Sequence, residues 1–304
     1  MITANSFLRI GCVGLVAALL LGAGFRVARW VDPGHVAGGD ANGSADVVFG
    51  SRAAPPREYI VGVAISADGR FVATGTRGGA VTLWTATGEP VRTWQAHTEP
   101  VHGLSFFRSD PPTILSAGRS GELRVWSLSA GEPVLGTELR DPGPVMSVAV
   151  APNGKAVAVG SFGRVRVWPL GRDACAPMAE FAAPPYLINA VTFSECSCEL
   201  AIGSSGEGCA RVWRLGATEP EQLSCSREYQ VRGIRFTPGG AIVAVDTEGN
   251  VALASAGESE RVAGHLAGAA VRQAAFSLDG RRVLLAHMDG TARLTSVPPG
   301  AIER

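Results

Sequence analysis

The sequence predicts an all-β fold of the β-propeller type, and two patterns that recur along the chain support this prediction. The first opens each copy with an apolar residue, and successive copies start about 40 to 44 residues apart, at Ile60, Val101, Val145, Ile188, Val231 and Val271. The second closes the first four copies with a tryptophan, at Trp84, Trp126, Trp168 and Trp213, and weakens to VALA and ARLT in the last two. Both patterns keep their spacing through six cycles, so one structural unit is repeated along the chain.

The first repeat shows how each unit is built. From Ile60 onward, short apolar runs alternate with the turn sequences ADG and RGG, which predicts three antiparallel strands and a looser fourth strand after TGE. Four strands in about 41 residues cannot bury both faces alone, so neighbouring units must stack. We therefore predict a ring of six four-stranded blades over residues 57–304. A ring of seven blades is the alternative, but it leaves too few residues for each blade.

The repeats resemble those of the WD-repeat family. The phrases ISADGRFVATGTRGGAVTLWTATGEPV and VAPNGKAVAVGSFGRVRVWPL match its turn, second strand and Trp-ending third strand. The resemblance covers about residues 57–304 and is strongest in the first four repeats. It implies a hydrogen-bond network of a His, a Ser or Thr, an Asp and the Trp, with Ser120 at the Asp position of repeat two. It assigns structural roles to Thr74, Trp84, His97, Ser116, Trp126, Trp168 and Trp213.

The last repeat lacks a complete fourth strand, because its third strand ends near Val297 and few residues follow. In the family, an N-terminal strand commonly completes such a repeat, and residues 46–49 are the candidate here. This pairing would remove an exposed sheet edge. The alternative is that residues 46–49 belong to the linker and that residues 301–304 complete the repeat.

The N-terminal part of the chain is of a different kind. Residues 1–30 contain an apolar segment from Phe7 to Phe25, interrupted by Arg9, which predicts one hydrophobic helix that meets a membrane. This helix is either a transmembrane anchor or a secretory signal peptide. Residues 31–56 are rich in Gly, Ala and Pro and are predicted to form a flexible linker.

The cysteines bear on the compartment. Five of them fall in repeats three and four. Cys209 and Cys225 are predicted as diagonal neighbours on adjacent strands, so a disulfide between them is one possibility. A second possibility joins Cys175 to Cys196 or Cys198, on the opposite face of the ring. Free buried thiols are the alternative to both bridges. Because the cysteines divide between two faces, we expect no metal site, and we expect no other cofactor.

These features favour a membrane-anchored or exported protein. The clustered cysteines suit an oxidising compartment, which places the ring outside a cytoplasmic membrane. Arginines on both sides of the apolar segment leave the orientation open. Lys155 is the single lysine of the chain, and this bias toward arginine fits a GC-rich, bacterial coding sequence.

Charge and motifs narrow the function. The chain has 27 basic and 27 acidic residues, so its net charge of zero gives no reason to expect nucleic acid as a partner. The sequence contains no nucleophile elbow, no nucleotide-binding loop and no H-E-x-x-H metalloprotease motif. We therefore expect a binding protein and no enzyme.

One face of the predicted ring carries the candidate partner-binding residues. The turns between second and third strands are basic in the first three repeats and acidic in the last three. They carry Arg77, Arg119, Phe162 and Arg164 on one half and Glu207, Asp246, Glu248 and Asp289 on the other. The positions after each opening residue add His102, Met146, Asn189, Arg232 and Arg272 near the mouth of the channel. A rim of this kind would orient a charged partner.

The family resemblance implies that this face docks peptides or protein domains. The sequence therefore predicts a non-catalytic interaction scaffold, tethered to a membrane through residues 7–25 or exported. An exported receptor that binds a small ligand or peptide in the channel is the alternative. A propeller-type enzyme is a second alternative.

Overall fold

A computed structural model of the chain describes residues 38–39, 45–50, 54–128, 134–170, 176–206, 209–218, 220–225, 230–254, 261–266 and 268–298. This part of the chain contains 24 β-strands and one short 3-10 helix, Pro56–Glu58. The predicted helix over residues 7–25 lies outside it. Within the described ranges, no helix has both the length and the apolar character needed to cross a bilayer.

The strands are short and follow the predicted repeats. Two strands precede the first repeat, β1 (Gly38–Gly39) and β2 (Ala45–Phe49). Repeat one contains β3 (Ile60–Ile65), β4 (Phe71–Thr76), β5 (Ala80–Thr85) and β6 (Pro90–Gln95). Repeat two contains β7 (Val101–Phe106), β8 (Thr113–Gly118), β9 (Glu122–Ser127) and β10 (Val134–Arg140). Repeat three contains β11 (Ser147–Val150), β12 (Ala156–Gly160) and β13 (Phe162–Pro169).

The remaining strands complete the series. A long strand, β14 (Ala179–Phe193), runs from repeat three into repeat four, which continues with β15 (Glu199–Ser204), β16 (Cys209–Arg214) and β17 (Glu221–Cys225). Repeat five contains β18 (Val231–Phe236), β19 (Ile242–Asp246), β20 (Asn250–Ala254) and β21 (Arg261–His265). Repeat six contains β22 (Val271–Phe276), β23 (Arg282–His287) and β24 (Ala292–Ser296).

The described strands form five antiparallel sheets. Three of them have four strands each, β3–β6, β7–β10 and β18–β21. A seven-stranded sheet contains β11–β17, because β14 pairs with β13 mainly through residues 179–182 and with β15 through residues 188–193. The fifth sheet has the order β1-β2-β24-β23-β22, so N-terminal strands pair with the last repeat.

The first strands of the repeats surround the centre of the molecule. Each of β3, β7, β11, β14, β18 and β22 contacts the next, and β22 contacts β3, so the series closes on itself. Small residues permit this close approach. A Cβ on Gly62 would lie 2.3 Å from the carbonyl oxygen of Val101, and one on Gly233 would lie 2.5 Å from the Cβ of Ala274. These glycines therefore pack one sheet against the next.

Apolar side chains fill the space between successive sheets. The second strands are buried along most of their length, as residues 72–75 and 283–287 show. A strand with neighbours on both faces has no solvent side, so its burial is continuous and does not alternate. Aromatic rings pack edge-on in these layers, with the ring centroids of Trp94 and Trp126 5.9 Å apart.

The N-terminal strand β2 links the last repeat to the first. It pairs with β24 along the edge that the short repeat six would otherwise leave open. Phe49 is 1% exposed, and its ring centroid lies 5.5 Å from that of Trp84 in repeat one. Asp46 is also buried and forms an ion pair with Arg293 of β24. Both an apolar contact and a buried ion pair therefore hold this strand in place.

Candidate partner-binding face and channel

Buried hydrogen bonds hold the third strands of the first two repeats. Trp84 Nε1 donates to Thr74 Oγ1 at 2.8 Å, and Trp126 Nε1 donates to Ser116 Oγ at 2.8 Å. His97 Nε2 lies 2.7 Å from the same Ser116 oxygen. These contacts join residues to which the family resemblance assigns structural roles.

The group around Ser116 has the residue types of a hydrolase triad, but its burial makes it structural. Glu122 Oε2 lies 3.7 Å from His97 Nδ1, so Glu122 supplies the carboxylate that Ser120 cannot provide. Ser116 is 0% exposed and its oxygen already accepts a bond from Trp126. Burial lowers the pKa of His97 to about 4, and the nearby Arg124 contributes to the shift. No substrate can reach this serine.

Repeat three satisfies its tryptophan with a residue that we did not single out from the sequence. Asp141 occupies the position that His97 has in repeat two. Its carboxylate accepts hydrogen bonds from Trp168 Nε1 at 3.0 Å and from Arg166 Nη1 at 2.9 Å. Asp141 is 0% exposed and Arg166 is 9% exposed, so this is a buried ion pair. In repeat four, Trp213 Nε1 donates to a backbone carbonyl at 2.9 Å.

The cationic residues predicted for the partner face lie around one mouth of the channel. Arg77 and Arg119 are exposed, whereas Arg232 and Arg272 are half-buried. Burial lowers the pKa of Arg272, with a further contribution from Arg77, and burial lowers the pKa of Arg232, with a contribution from Arg272. Within the described residues, none of Arg77, Arg119 and Arg272 forms an ion pair. We call these four arginines the cationic mouth.

His102 lies among these arginines. Burial, together with Arg119 and Arg272, lowers its pKa to about 4, so the ring is neutral at pH 7. Its carbonyl oxygen accepts a hydrogen bond from Gln273 Nε2 at 2.9 Å, and Gln273 Oε1 accepts one from the Val63 N–H at 2.9 Å. Gln273 therefore ties the last repeat to the first two beneath the mouth.

The other predicted partner residues divide into exposed and internally bonded ones. Phe162 is 55% exposed, and Met146 is half-buried. Arg164 forms an ion pair with Glu180. Asn189, which we predicted near the mouth, is 5% exposed, and its Nδ2 donates to a carbonyl of β18 at 3.3 Å. Phe162 and Arg164 are thus exposed, Met146 is half-buried, and Asn189 is buried and bonded within the ring.

The acidic half of the rim is used largely within its own turns. Asp246 Oδ1 accepts two backbone N–H groups of its turn, both at 2.9 Å. Asp289 Oδ1 accepts the N–H of Thr291 at 3.0 Å and its hydroxyl at 2.7 Å. Glu248 is exposed, and Glu207 lies outside the described residues. In the predicted acidic half of the rim, Asp246 and Asp289 therefore bond within their own turns.

The cysteines are arranged differently from the sequence prediction. Cys196 and Cys198 form a disulfide with each other, with their Cα atoms 5.3 Å apart, and this replaces a bridge from Cys175 to either of them. Cys175 lies outside the described residues. Cys209 and Cys225 stand directly opposite each other in the β16–β17 register and are not diagonal neighbours. In the described ranges, no group of three or more His, Cys, Asp or Glu side chains is placed to hold a metal ion.

A cavity of about 680 Å³ occupies the channel toward the opposite face, where the turns between first and second strands lie. Arg108, Glu195 and Arg235 are among its lining residues. The two terminal nitrogens of Arg108 contact the two carboxylate oxygens of Glu195 at 2.5 and 2.6 Å. This ion pair links repeat two to repeat four at the rim of the cavity.

A family model described as "WD domain, G-beta repeat" matches residues 55–85 and 88–127. These matches support a WD-repeat propeller. The matched ranges contain the Trp84–Thr74 and Trp126–Ser116 hydrogen bonds.

Two relatives of known sequence match part of the chain. "Target of rapamycin complex subunit wat1" of Schizosaccharomyces pombe is 26% identical over 134 residues, which is 43% of this chain and 40% of the relative. "Uncharacterized WD repeat-containing protein sll1491" of Synechocystis sp. is 30% identical over 120 residues, which is 39% of this chain and 33% of the relative. The chain therefore spans less than half the length of either relative.

Solved structures agree on the fold. A chain of the "Crystal Structure of Mitotic Checkpoint Complex" superimposes with a TM-score of 0.62 at 19% identity, covering 84% of this chain and 79% of that chain. The Cps50 (Swd1) beta-propeller domain of Myceliophteria thermophila superimposes with a TM-score of 0.59 at 14% identity, covering 79% and 97%. At these identities the likeness shows the fold alone, an all-β propeller.

The two regions that match the family model also supply part of the cationic mouth. Arg77 lies in the first matched range and Arg119 in the second. Arg232 and Arg272 come from repeats five and six. The mouth is therefore assembled from both ends of the repeat series and requires the ring to be closed.

Proposed function

We propose that this WD-repeat propeller is a non-catalytic scaffold that binds a protein or peptide partner at its cationic mouth. The absence of ion pairs at Arg77, Arg119 and Arg272 within the described residues carries the proposal. Like charges held close together repel one another, and an acidic group from a partner relieves this repulsion. Phe162 adds an exposed aromatic side chain of the kind that is enriched at interfaces.

The named relatives support a role in assemblies. One is a subunit of a target of rapamycin complex, and one structural neighbour comes from the mitotic checkpoint complex. The proposal assigns no chemistry to the ring, since the Ser116–His97–Glu122 group is buried and the neighbours of His102 are arginines. It includes no nucleic acid, because the net charge of the chain is zero.

The ring is proposed to have six blades. Two observations support this number: the six first strands contact one another in a closed series, and β14 pairs mainly with β13 through its first residues and with β15 through its last. Dividing the seven-stranded sheet at residues 183–187 gives two four-stranded blades. With β2 added to repeat six, each blade then has four strands. The blade of repeat six also carries the short strand β1 on its outer edge.

A membrane tether or export signal is proposed for residues 7–25, with the ring outside a bacterial cytoplasmic membrane. The apolar sequence supports contact with the membrane, and the Cys196–Cys198 disulfide suits an oxidising compartment. Protease added to intact cells is expected to degrade the ring, while a cytoplasmic control protein stays intact. Protection of the ring until the cells are lysed would place it in the cytoplasm.

Partner capture tests the scaffold proposal. Replacing Arg77 and Arg119 by Glu reverses two charges of the mouth, so we expect recovery of the partner to fall about tenfold or more. The measurement is quantitative affinity capture of the full chain in mild detergent. The matched control replaces Arg214 and Arg281, which are exposed and lie toward the opposite face. Equal recovery with both double variants would refute binding at the mouth.

A further inference from the structure

The cavity wall carries a partly buried cation. Arg235 of β18 is partly buried there, and its Nη2 donates to the carbonyl oxygen of Leu278. Within the described residues, it forms no ion pair. Burial lowers the pKa of Arg235, and the neighbouring Arg108 lowers it further. Removing a charge from water is costly unless a partner compensates it, so this site favours an anion.

The carboxylates near Arg235 are already engaged. Glu195 is bound by both terminal nitrogens of Arg108, and its side chain is 72% exposed at the rim. Asp279 Oδ1 accepts the hydroxyl of Ser277 at 2.6 Å and a backbone N–H of its own turn at 3.0 Å. The guanidinium groups of Arg108 and Arg235 therefore both lie near Glu195, but only Arg108 is hydrogen-bonded to it.

A second unsatisfied group lies on the same wall. The Oγ1 atom of Thr237 is buried and has no hydrogen-bond partner among the described residues. A hydroxyl can donate to an anion, so Thr237 and Arg235 together offer neighbouring donors from one strand end. Buried polar groups without partners are uncommon, and one that lines a cavity is placed to bond a ligand that enters it.

The rest of the lining mixes polar and apolar side chains. Phe106, Phe193 and Phe276 stand at equivalent positions of their repeats and line the cavity. A volume of about 680 Å³ suits a small organic molecule. The cavity therefore combines apolar patches with two arginines near its rim, which suits a ligand with a small apolar body and one anionic group.

We propose that this cavity binds a small organic carboxylate, with its carboxylate held by Arg235 and Arg108 and its apolar body against the phenylalanines. The incoming carboxylate takes the place of Glu195 on Arg108, and Glu195 moves toward solvent. This site lies at the opposite end of the channel from the cationic mouth and does not depend on a protein partner. The two proposals therefore fail independently.

Benzoate and its neutral isostere benzamide test the proposal by calorimetric titration of the full chain in mild detergent. We expect benzoate to bind saturably. The affinity for benzamide should be at least about tenfold lower, because only the anion engages the guanidinium groups. Arg235→Gln and Arg108→Gln should each weaken benzoate binding about tenfold. Arg281→Gln is the matched control, since Arg281 is exposed on the same face, and it should leave binding unchanged.

The Arg108→Gln variant is expected to fold, because the Arg108 side chain lies at the rim and is 33% exposed. It therefore separates a loss of binding from a loss of folding. If thermal melting shows that Arg235→Gln has lost its fold, Arg108→Gln decides the question alone. Equal affinities for benzoate and benzamide would overturn the proposal. So would a folded Arg108→Gln variant with wild-type affinity for benzoate, or the absence of saturable binding at millimolar concentrations.

Discussion

At the scale of single residues, the tryptophans that close the first four repeats use three kinds of hydrogen-bond acceptor. The indole N–H donates to a hydroxyl in repeats one and two, to the Asp141 carboxylate in repeat three and to a backbone carbonyl in repeat four. A buried N–H requires some acceptor, but the fold does not fix which one. The hydroxyls could be predicted because they stand at a constant spacing from the tryptophan. Asp141 could not, because a carboxylate replaces a histidine there and reaches the indole directly.

Replacing Ser116 by Ala tests how much the network stabilises repeat two. The change leaves both Trp126 Nε1 and His97 Nε2 buried without their partner, so we expect a loss of about 2 to 4 kcal/mol in the free energy of unfolding. Urea denaturation measures the free energy of unfolding. Its dependence on urea concentration should be the same for wild type and variant, which shows that both unfold to a similar state. Ser120→Ala is the control, because Ser120 is exposed in the neighbouring turn. Similar midpoints for the two variants would show that the network contributes nothing.

At the scale of strands, the sequence predicted the order and approximate limits of the repeat strands, because turn residues separate them. It did not predict the continuous strand β14. The outer strand of repeat three runs directly into the inner strand of repeat four through Pro184 and Pro185. Proline restricts itself and its predecessor to extended backbone, so the connection between these two repeats stays extended.

The pairing of β2 with β24 is testable through Phe49. Its ring fills the space between the last sheet and the first, and truncation to Ala should cost about 3 to 5 kcal/mol and lower the melting temperature. Val48→Ala provides the matched control, because Val48 is half-buried on the same strand. A melting temperature for Phe49→Ala no lower than that of Val48→Ala would show that β2 does not close the ring.

At the scale of the whole molecule, a net charge of zero conceals two separate cationic sites, one at each end of the channel. The sequence located the arginines of the mouth, because repeat register places equivalent positions on one face. It could not show that Asp246 and Asp289 fold back onto their own turns, since this depends on backbone geometry. Nor could it show that Arg235 forms no ion pair among the described residues, because its charged neighbours Arg108, Glu195 and Asp279 come from other repeats.

The most direct test of the partner-binding mouth is site-specific photo-crosslinking in intact cells. A photoreactive phenylalanine analogue replaces Met146, which lies at the mouth. In the control it replaces Met178, which is 63% exposed and lies away from the mouth. The account predicts that irradiation joins a partner protein to the chain from position 146 and not from position 178. Crosslinks that form equally from both positions, or only from position 178, would contradict it.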